Sequence, residues 1–235
     1  MQPSPTEICQ LFTVPVAASC GEATRESVSE LSRLDAKEIP TGYDSWVEKR
    51  QREYRAGRHH ARSALINAGA APADVPRGMD GLPMFPRGFA GSITHTGKSK
   101  SFVAAAVCQE PASIGLDAEF IRPIKDALLD TIMTPREQGM MASMLSAPAP
   151  SFNGPGELAL LHFSAKEAFY KCVYPQARQL LGFHDVEVAV CSAENSFIAK
   201  AKENLASEIP KALGGRYLLT DALIVCGVTW SRLRG

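Results

Sequence analysis

Several groups of polar residues in this chain have types and spacings that could do chemistry. In "SIGLDAEFIRPI", residues 113–124, Asp117 and Glu119 stand two apart among Ile114, Leu116, Ala118 and Phe120. The two-residue period of a strand puts both carboxylates on one face and turns Leu116 and Ala118 into the core. Oxygens arranged this way suit a hard divalent cation, which commonly takes one or two protein carboxylates and completes its shell with water and substrate phosphate. The same alternation also describes an ordinary strand with a solvated acidic face. In "HFSAKEAFYK", Glu167 and Lys171 lie four apart, neighbours on one face of a helix. As a surface ion pair they would contribute only about 0.3–0.5 kcal/mol. Leu158, Leu161, Ala165, Ala168 and Cys172 keep helical spacing on both sides of Ser164, so that serine sits mid-helix and is not a cap. Phe163, Glu167 and Lys171 then share a stripe from which Lys171 reaches a phosphate oxygen while Glu167 faces a cation. His95 in "GSITHTGKSK" closes a strand just before a turn. Lys49, Arg50, Arg52, Arg55, Arg58, His59, His60 and Arg62 form a basic run with helical spacing, Arg50 and Arg58 about two turns apart. Such a run is either a solvated face or a guanidinium grip for a phosphomonoester. Together these residues describe a site for a polyphosphate ligand with Mg2+.

The elements that must position them are legible from pattern. Residues 45–68 lack proline and favour one helix, followed by the proline- and glycine-rich connector "AGAAPADVPRG". "GLPMFPRGFAGSITHT" leads from a loop into a strand, "SFVAAAV" is a second strand and "SIGLDAEF" a third, separated by the turn signals "GKSK" and "CQEPA". Tight connections predict an antiparallel meander, with the first and third strands flanking the second and their C-terminal ends pointing the same way. That arrangement brings His95 to the side of the sheet carrying Asp117 and Glu119. In "MTPREQGMMASML", Thr134 is the N-cap, Pro135 the first helical residue and Glu137 the capping-box partner. "SAPAPSFNGPG" is a loop, and "ELALLHFSAKEAFYKCVY" a long helix stopped by Pro175. "GFHDVEVAV", "SFIAKA" and "RYLLTDALIVCGVTW" read as strands. The fold class is α+β, with a seam near residues 110–113; residues 1–42 show no clear pattern.

Bulk properties set the context. The 235 residues are 45% hydrophobic and 21% charged, with 25 basic and 25 acidic side chains. That balance excludes a global electrostatic argument for nucleic acid or membrane surface. Six scattered cysteines without a Cys-x-x-Cys pair, no signal-peptide pattern in "MQPSPTEICQ" and no long apolar run lead us to expect a cytoplasmic protein with reduced thiols.

"GSITHT", "IGLDAE" and "FSAKEAFYK", in this order, resemble the three signatures of 4'-phosphopantetheinyl transferases of the Sfp and enterobactin-synthetase type. "EKRQREYRAGRHHAR" resembles that family's basic helix, "GLPMFPRGFAGSITH" its proline-aromatic-proline loop and "LGFHDVEV" the strand after the third signature. The resemblance spans roughly residues 45–190. It implies two pseudo-symmetric α+β halves in one chain with the active site at their interface, here 1–112 (basic helix, proline loop, His95 strand) and 113–235 (metal-binding strand and Lys-Glu helix). It implies that Asp117, Glu119 and Glu167 hold Mg2+, with Mn2+ an alternative, against the pyrophosphate of coenzyme A. Lys171 would contact that pyrophosphate and His95 another phosphate of the same substrate. Arg50 and Arg58 would grip the 3'-phosphate, Arg77 would serve the adenosine end and Ser92 would lie beside the site. Leu82 stands where some relatives have a lysine, which leaves Arg77 as the substitute. The implied reaction is attack of an apo carrier-protein serine on the β-phosphorus of coenzyme A, giving holo carrier and 3',5'-ADP. Glu167 or a metal-bound water would take the serine proton. The longer form of the family implies a monomer serving polyketide, nonribosomal peptide or siderophore carriers.

The carrier is expected to dock near "IKDALLDTIMTPREQGMMASML", whose Ile132, Met133, Met140, Met141, Met144 and Leu145 suit either a pliable docking face or core packing. Two other readings use the same residues: a Mg2+-dependent nuclease or phosphodiesterase, and a non-catalytic coenzyme A binding module. The neutral charge and the absence of a broad basic surface with interleaved aromatics argue against nucleic acid.

Overall fold

Small side chains decide how the basic helix packs. Helix α2 (Glu48–Asn67) turns the fully buried Ala56, Ala61, Ala64 and Leu65 toward a sheet. The computed structural model describes residues 1–24, 34–98, 101–147 and 151–231. Before α2 come α1 (Pro5–Cys9), capped by a reciprocal Ser4–Glu7 pair, and strand β1 (Val16–Glu22), both from the stretch without a clear sequence pattern. The helix begins three residues later than expected, because Tyr43–Ser45 form a tight 3-10 turn and Trp46 and Val47 are extended.

Strands β2 (Phe89–Gly97), β3 (Ser101–Gln109) and β4 (Ser113–Phe120) form where the pattern predicts them, although Ser99 and Lys100 of the expected turn fall outside the described residues. The meander does not form. β1 takes the far edge of β3, giving an antiparallel sheet of order β1-β3-β2, and β4 joins a second sheet. The rest of the chain supplies α3 (Asp126–Ile132), α4 (Pro135–Leu145), α5 (Pro155–Ala177), β5 (Val186–Cys191), β6 (Ser196–Ala201), β7 (Ala212–Leu219) and β8 (Leu223–Trp230). The second sheet has the order β4-β8-β7-β6-β5 and is antiparallel throughout. "RYLLTDALIVCGVTW" is thus a hairpin, turning at residues 220–222. Thr134 and Glu137 form the expected capping box. Pro175 does not stop α5: it falls in the last turn, and the helix ends only at Arg178, which adopts a left-handed conformation (φ 53°).

The layers run helix, sheet, sheet, helix. Outside the first sheet, Ala61, Ala64 and Leu65 of α2 meet Ala105 and Val107 of β3. Between the sheets, Phe102, Ala104 and Ala106 pack on Leu116, Ala118, Leu223 and Val225, with Ile8, Leu11 and Phe12 closing the side. Outside the second sheet, Leu158, Leu161, Ala165 and Phe169 of α5 cover Ile224, Cys226 and Val228. Ile132, Met133 and Met141 belong to this last core, so packing claims them and they offer no docking face; Met140 is exposed. All six cysteines are free thiols. Among the described residues no helix is long and apolar enough to cross a membrane.

β2 and β4 face each other as the edges of their sheets, and side chains join them. The hydroxyl of Ser92 accepts the amide of Leu116 (3.0 Å), that of Thr94 the amide of Ala118 (3.1 Å) and that of Thr96 the amide of Phe120 (3.4 Å). The constant offset means that the two strands run parallel. The C-terminal ends of β2 and β4 therefore do point the same way, across a seam between sheets and not within one sheet.

His60 of α2 is buried (8% exposed) beside β1, its Nδ1 2.9 Å from the Ser19 hydroxyl. Burial, with His59 adding, lowers its pKa to about 4. The unfolded chain binds this proton near pH 6.5, so its contribution is complete above that value and is lost as the pH falls toward 4. We expect urea unfolding to show wild-type stability falling across this window, by on the order of 3 kcal/mol from this group. In His60→Asn the slope should flatten; an unchanged slope would assign the acid lability elsewhere.

Candidate active site

Gly115 determines how close α5 comes to β4. A Cβ there would lie 1.8 Å from the Ala168 carbonyl oxygen and 2.7 Å from the Cys172 amide nitrogen. The Ser113 hydroxyl donates to the Cys172 carbonyl at 2.7 Å, a second tie at the same crossing. Two residues along β4 is Asp117, and one position back along α5 from Cys172 is Lys171. The Lys171 ammonium donates to Asp117 Oδ1 at 2.7 Å and to the Leu116 carbonyl at 3.3 Å. Asp117 is 5% exposed, and its Oδ2 is buried with no hydrogen-bond partner.

The other two acids stand close enough to Asp117 to feel its charge. Burial and the Asp117 carboxylate push Glu119 up to about 7, against Arg122, Thr96 and Lys171. Glu167 is raised by burial and then by Asp117, with Lys171 opposing. Glu167 is half-buried and within reach of the Asp117 charge. With Lys171 seated on Asp117, no three His, Cys, Asp or Glu side chains among the described residues are gathered as a ready-made metal cluster.

Lys166, beside Glu167 in the same signature, points the other way. Its ammonium is buried, donating to Glu137 at 2.8 Å and to the carbonyls of Ile132 and Phe183. Glu137 also accepts from the Val188 amide, so this pair locks α4 and β5 to α5 and thereby fixes the rotation of the helix that presents Glu167 and Lys171.

A cleft of about 1200 Å³ opens beside Lys171 and runs along β2 and α2 to the loop at residues 77–84. His95 lines it with its side chain 53% exposed, its Nδ1 3.5 Å from Glu53 of α2. Burial lowers the pKa of this imidazole, against the pull of Glu53. Glu53 is itself held by Ser101 (2.6 Å) and Lys49 (2.7 Å). Of the basic residues on α2, Arg50 and Arg58 line the cleft; Arg52 pairs with Glu48, and Arg62 with the buried Glu38. Arg50 lies 4.4 Å over the Trp46 ring and Arg58 4.2 Å over Tyr54, while Arg77 comes within 5.9 Å of Trp46 from the loop. Trp46 and Tyr54 meet edge-on, and Tyr43 completes the aromatic group. Cation–π contact holds such guanidinium planes in place. Arg77 folds back over Gly81 (φ +86°), beside Leu82. Ser92 lines the cleft, yet its hydroxyl is taken up by the Leu116 backbone.

Sequence reasoning missed Glu53, the Trp46–Tyr54 support and the threonine hydroxyls. Only Glu53 left a trace, as the fourth residue after Lys49, and that spacing reads as a surface pair.

The comparisons fit this geometry. Residues 42–108 match the 4'-phosphopantetheinyl transferase N-terminal domain, and residues 113–220 match the 4'-phosphopantetheinyl transferase superfamily. The 4'-phosphopantetheinyl transferase Npt of Nocardia iowensis is 30% identical over 79% of this chain and 84% of its own length. Svp of Streptomyces mobaraensis is 35% identical over 66% of this chain, and PptT of Mycobacterium tuberculosis 34% identical over 60%. Those two alignments span 60% and 59% of the relatives' own lengths. The chain belongs to the 4'-phosphopantetheinyl transferase superfamily.

Because both atoms in the way are helix backbone, Gly115→Ala can be relieved only by moving α5. We expect a loss of about 3 kcal/mol, seen as a thermal midpoint about 10 °C lower. A midpoint within about 2 °C of wild type would show that this crossing tolerates a side chain.

Proposed function

We propose that this chain transfers the 4'-phosphopantetheine group of coenzyme A to a serine of an apo acyl or peptidyl carrier protein. The observation that carries the reading is a cleft with two unlike ends: Lys171, paired with the buried Asp117 behind it, at one, and guanidinium groups stacked on aromatic rings at the other. Coenzyme A has two anionic groups to match, a pyrophosphate in mid-molecule and a 3'-phosphate on its adenosine. The three named relatives carry the transferase name, and none carries that of a nuclease.

In this reading Arg50 and Arg58 hold the 3'-phosphate through charge-assisted hydrogen bonds, and Arg77 covers the adenosine side. Lys171 meets the pyrophosphate and His95 another phosphate of coenzyme A. The acidic residues fit a divalent cation: Asp117 has a buried oxygen without a partner, and Glu119 and Glu167 resist ionisation beside it. Lys171 and Arg122 do not balance three carboxylates, and hard oxygen donors are what Mg2+ or Mn2+ take. Asp117, Glu119 and Glu167 would hold the ion, and when bound it would neutralise pyrophosphate charge and make the β-phosphorus more electrophilic.

The serine oxygen attacks the β-phosphorus, the bond to the bridging oxygen breaks and 3',5'-ADP departs. Lys171 steadies the charge that collects on the departing phosphate. The serine proton passes to the Glu167 carboxylate, whose pKa is raised by burial and by the Asp117 carboxylate. Such transfer is mostly positioning and charge neutralisation. We read the chain as a cytoplasmic monomer of two halves, 1–112 and 113–235, with polyketide, nonribosomal peptide or siderophore carriers as its partners.

Incubation with coenzyme A, Mg2+ and apo carrier proteins should add the mass of phosphopantetheine to a carrier; no gain on any of several carriers would defeat the reading. Asp117→Ala and Glu167→Ala should abolish the gain while leaving circular dichroism unchanged, and near-normal turnover in either would remove it from the cation's ligands. For Arg58→Ala we expect KM for coenzyme A to rise about tenfold or more with kcat little changed. The reverse pattern would move Arg58 out of the binding role.

A further inference from the structure

A buried strand position that only packs is served by valine; Thr94 and Thr96 carry hydroxyls instead, at 2% and 8% exposure. A buried hydroxyl needs partners for its proton and its lone pairs. On the accepting side these two behave like Ser92, each taking one amide of β4. On the donating side they differ from it. Ser92 gives its proton to the Leu116 backbone carbonyl (3.4 Å), whereas Thr94 gives its proton to Asp117 Oδ1 (3.2 Å) and Thr96 to Glu119 Oε2 (3.3 Å). Threonine is stiff about χ1, so a hydroxyl fixed on a backbone amide is a fixed donor for the carboxylate. At Asp117 the consequence is direct. Thr94 and Lys171 both load Oδ1, which holds the carboxylate plane and leaves Oδ2 as the buried oxygen without a partner.

We propose that Thr94 and Thr96 are positioning residues for the cation: from the opposite sheet they set the orientation of the Asp117 and Glu119 carboxylates, and at Asp117 they leave Oδ2 to the ion. The proposal rests on the assignment of those acids as cation ligands. It ties cation affinity to the seam between the sheets, because the same hydroxyls that accept the β4 amides aim the carboxylates.

The test is Mn2+ binding by the folded protein in the presence of coenzyme A, followed by the electron paramagnetic resonance signal of free Mn2+, together with kcat and KM. Thr94→Val and Thr96→Val are expected to raise the Mn2+ dissociation constant about tenfold. Saturating cation should recover much of kcat, with KM for coenzyme A changing less. Thr94→Ser and Thr96→Ser should restore tight binding. Thr229→Val, which removes a buried hydroxyl tie away from the cleft, should lower the melting temperature and leave Mn2+ affinity unchanged. If a valine variant does not fold, Thr94→Cys and Thr96→Cys, weaker donors at the same place, carry the comparison. Folded Thr94 and Thr96 variants with wild-type Mn2+ affinity would overturn the proposal while leaving the metal assignment intact. So would a loss of affinity in Thr229→Val equal to theirs. A wild-type protein that holds no Mn2+ would sink the metal assignment itself.

Discussion

Burying several carboxylates in one place is expensive unless each finds compensation, and that requirement organises this protein around Asp117. Its neighbours answer it from two directions, Lys171 from α5 and Thr94 from the first sheet, while Glu119, two residues along the strand, adds to the burden. Lys171 can answer only because α5 lies almost in contact with the β4 backbone, and that closeness exists because residue 115 has no side chain. The Lys166–Glu137 pair then prevents the helix from rolling. Remote features such as a buried ion pair under α4 thus serve the geometry of one carboxylate.

At the other end of the cleft the problem is reversed. Guanidinium groups must stay extended and available without collapsing onto nearby acids. Trp46 and Tyr54 achieve this by offering ring faces, which hold Arg50 and Arg58 without neutralising them. Acids on the same helix are occupied elsewhere: Glu48 by Arg52, and Glu53 by Lys49, Ser101 and His95. A helix that reads as uniformly basic is therefore sorted into residues that grip a ligand and residues that hold the helix.

Much of this was legible in the sequence, for reasons that also mark the limits. A two-residue period states which side chains share a face, so Asp117 and Glu119 were correctly paired; it does not state which strand lies alongside. That is why β4 was placed beside β3, whose free edge is instead filled by β1, a strand of mixed burial with no clean alternation. The parallel ends of β2 and β4 were right for the wrong neighbour, since hydroxyl contacts leave no signature beyond an ordinary Ser-x-Thr-x-Thr strand. Pro175 looked like a stop because a proline inside a helix removes a bond and crowds the carbonyl four residues back; α5 runs only two residues past it before ending. Trp46 and Tyr54 are eight residues apart, and only the 3-10 turn at Tyr43–Ser45 brings the indole back against the helix.

The first dozen residues do more than lead into β1. Leu11 packs where Gly227 makes room, the Thr13 amide donates to the hydroxyl of Thr229, and the Gln10 carbonyl accepts from Arg216. The start of the chain is thus clasped by its last two strands, a separation of 216 residues for the Thr13–Thr229 contact. Closing so large a loop comes late in folding. During synthesis the early segment must wait, with Ile8, Leu11 and Phe12 uncovered, until β8 has left the ribosome, which places the hazard of aggregation in the nascent chain and not in the finished protein.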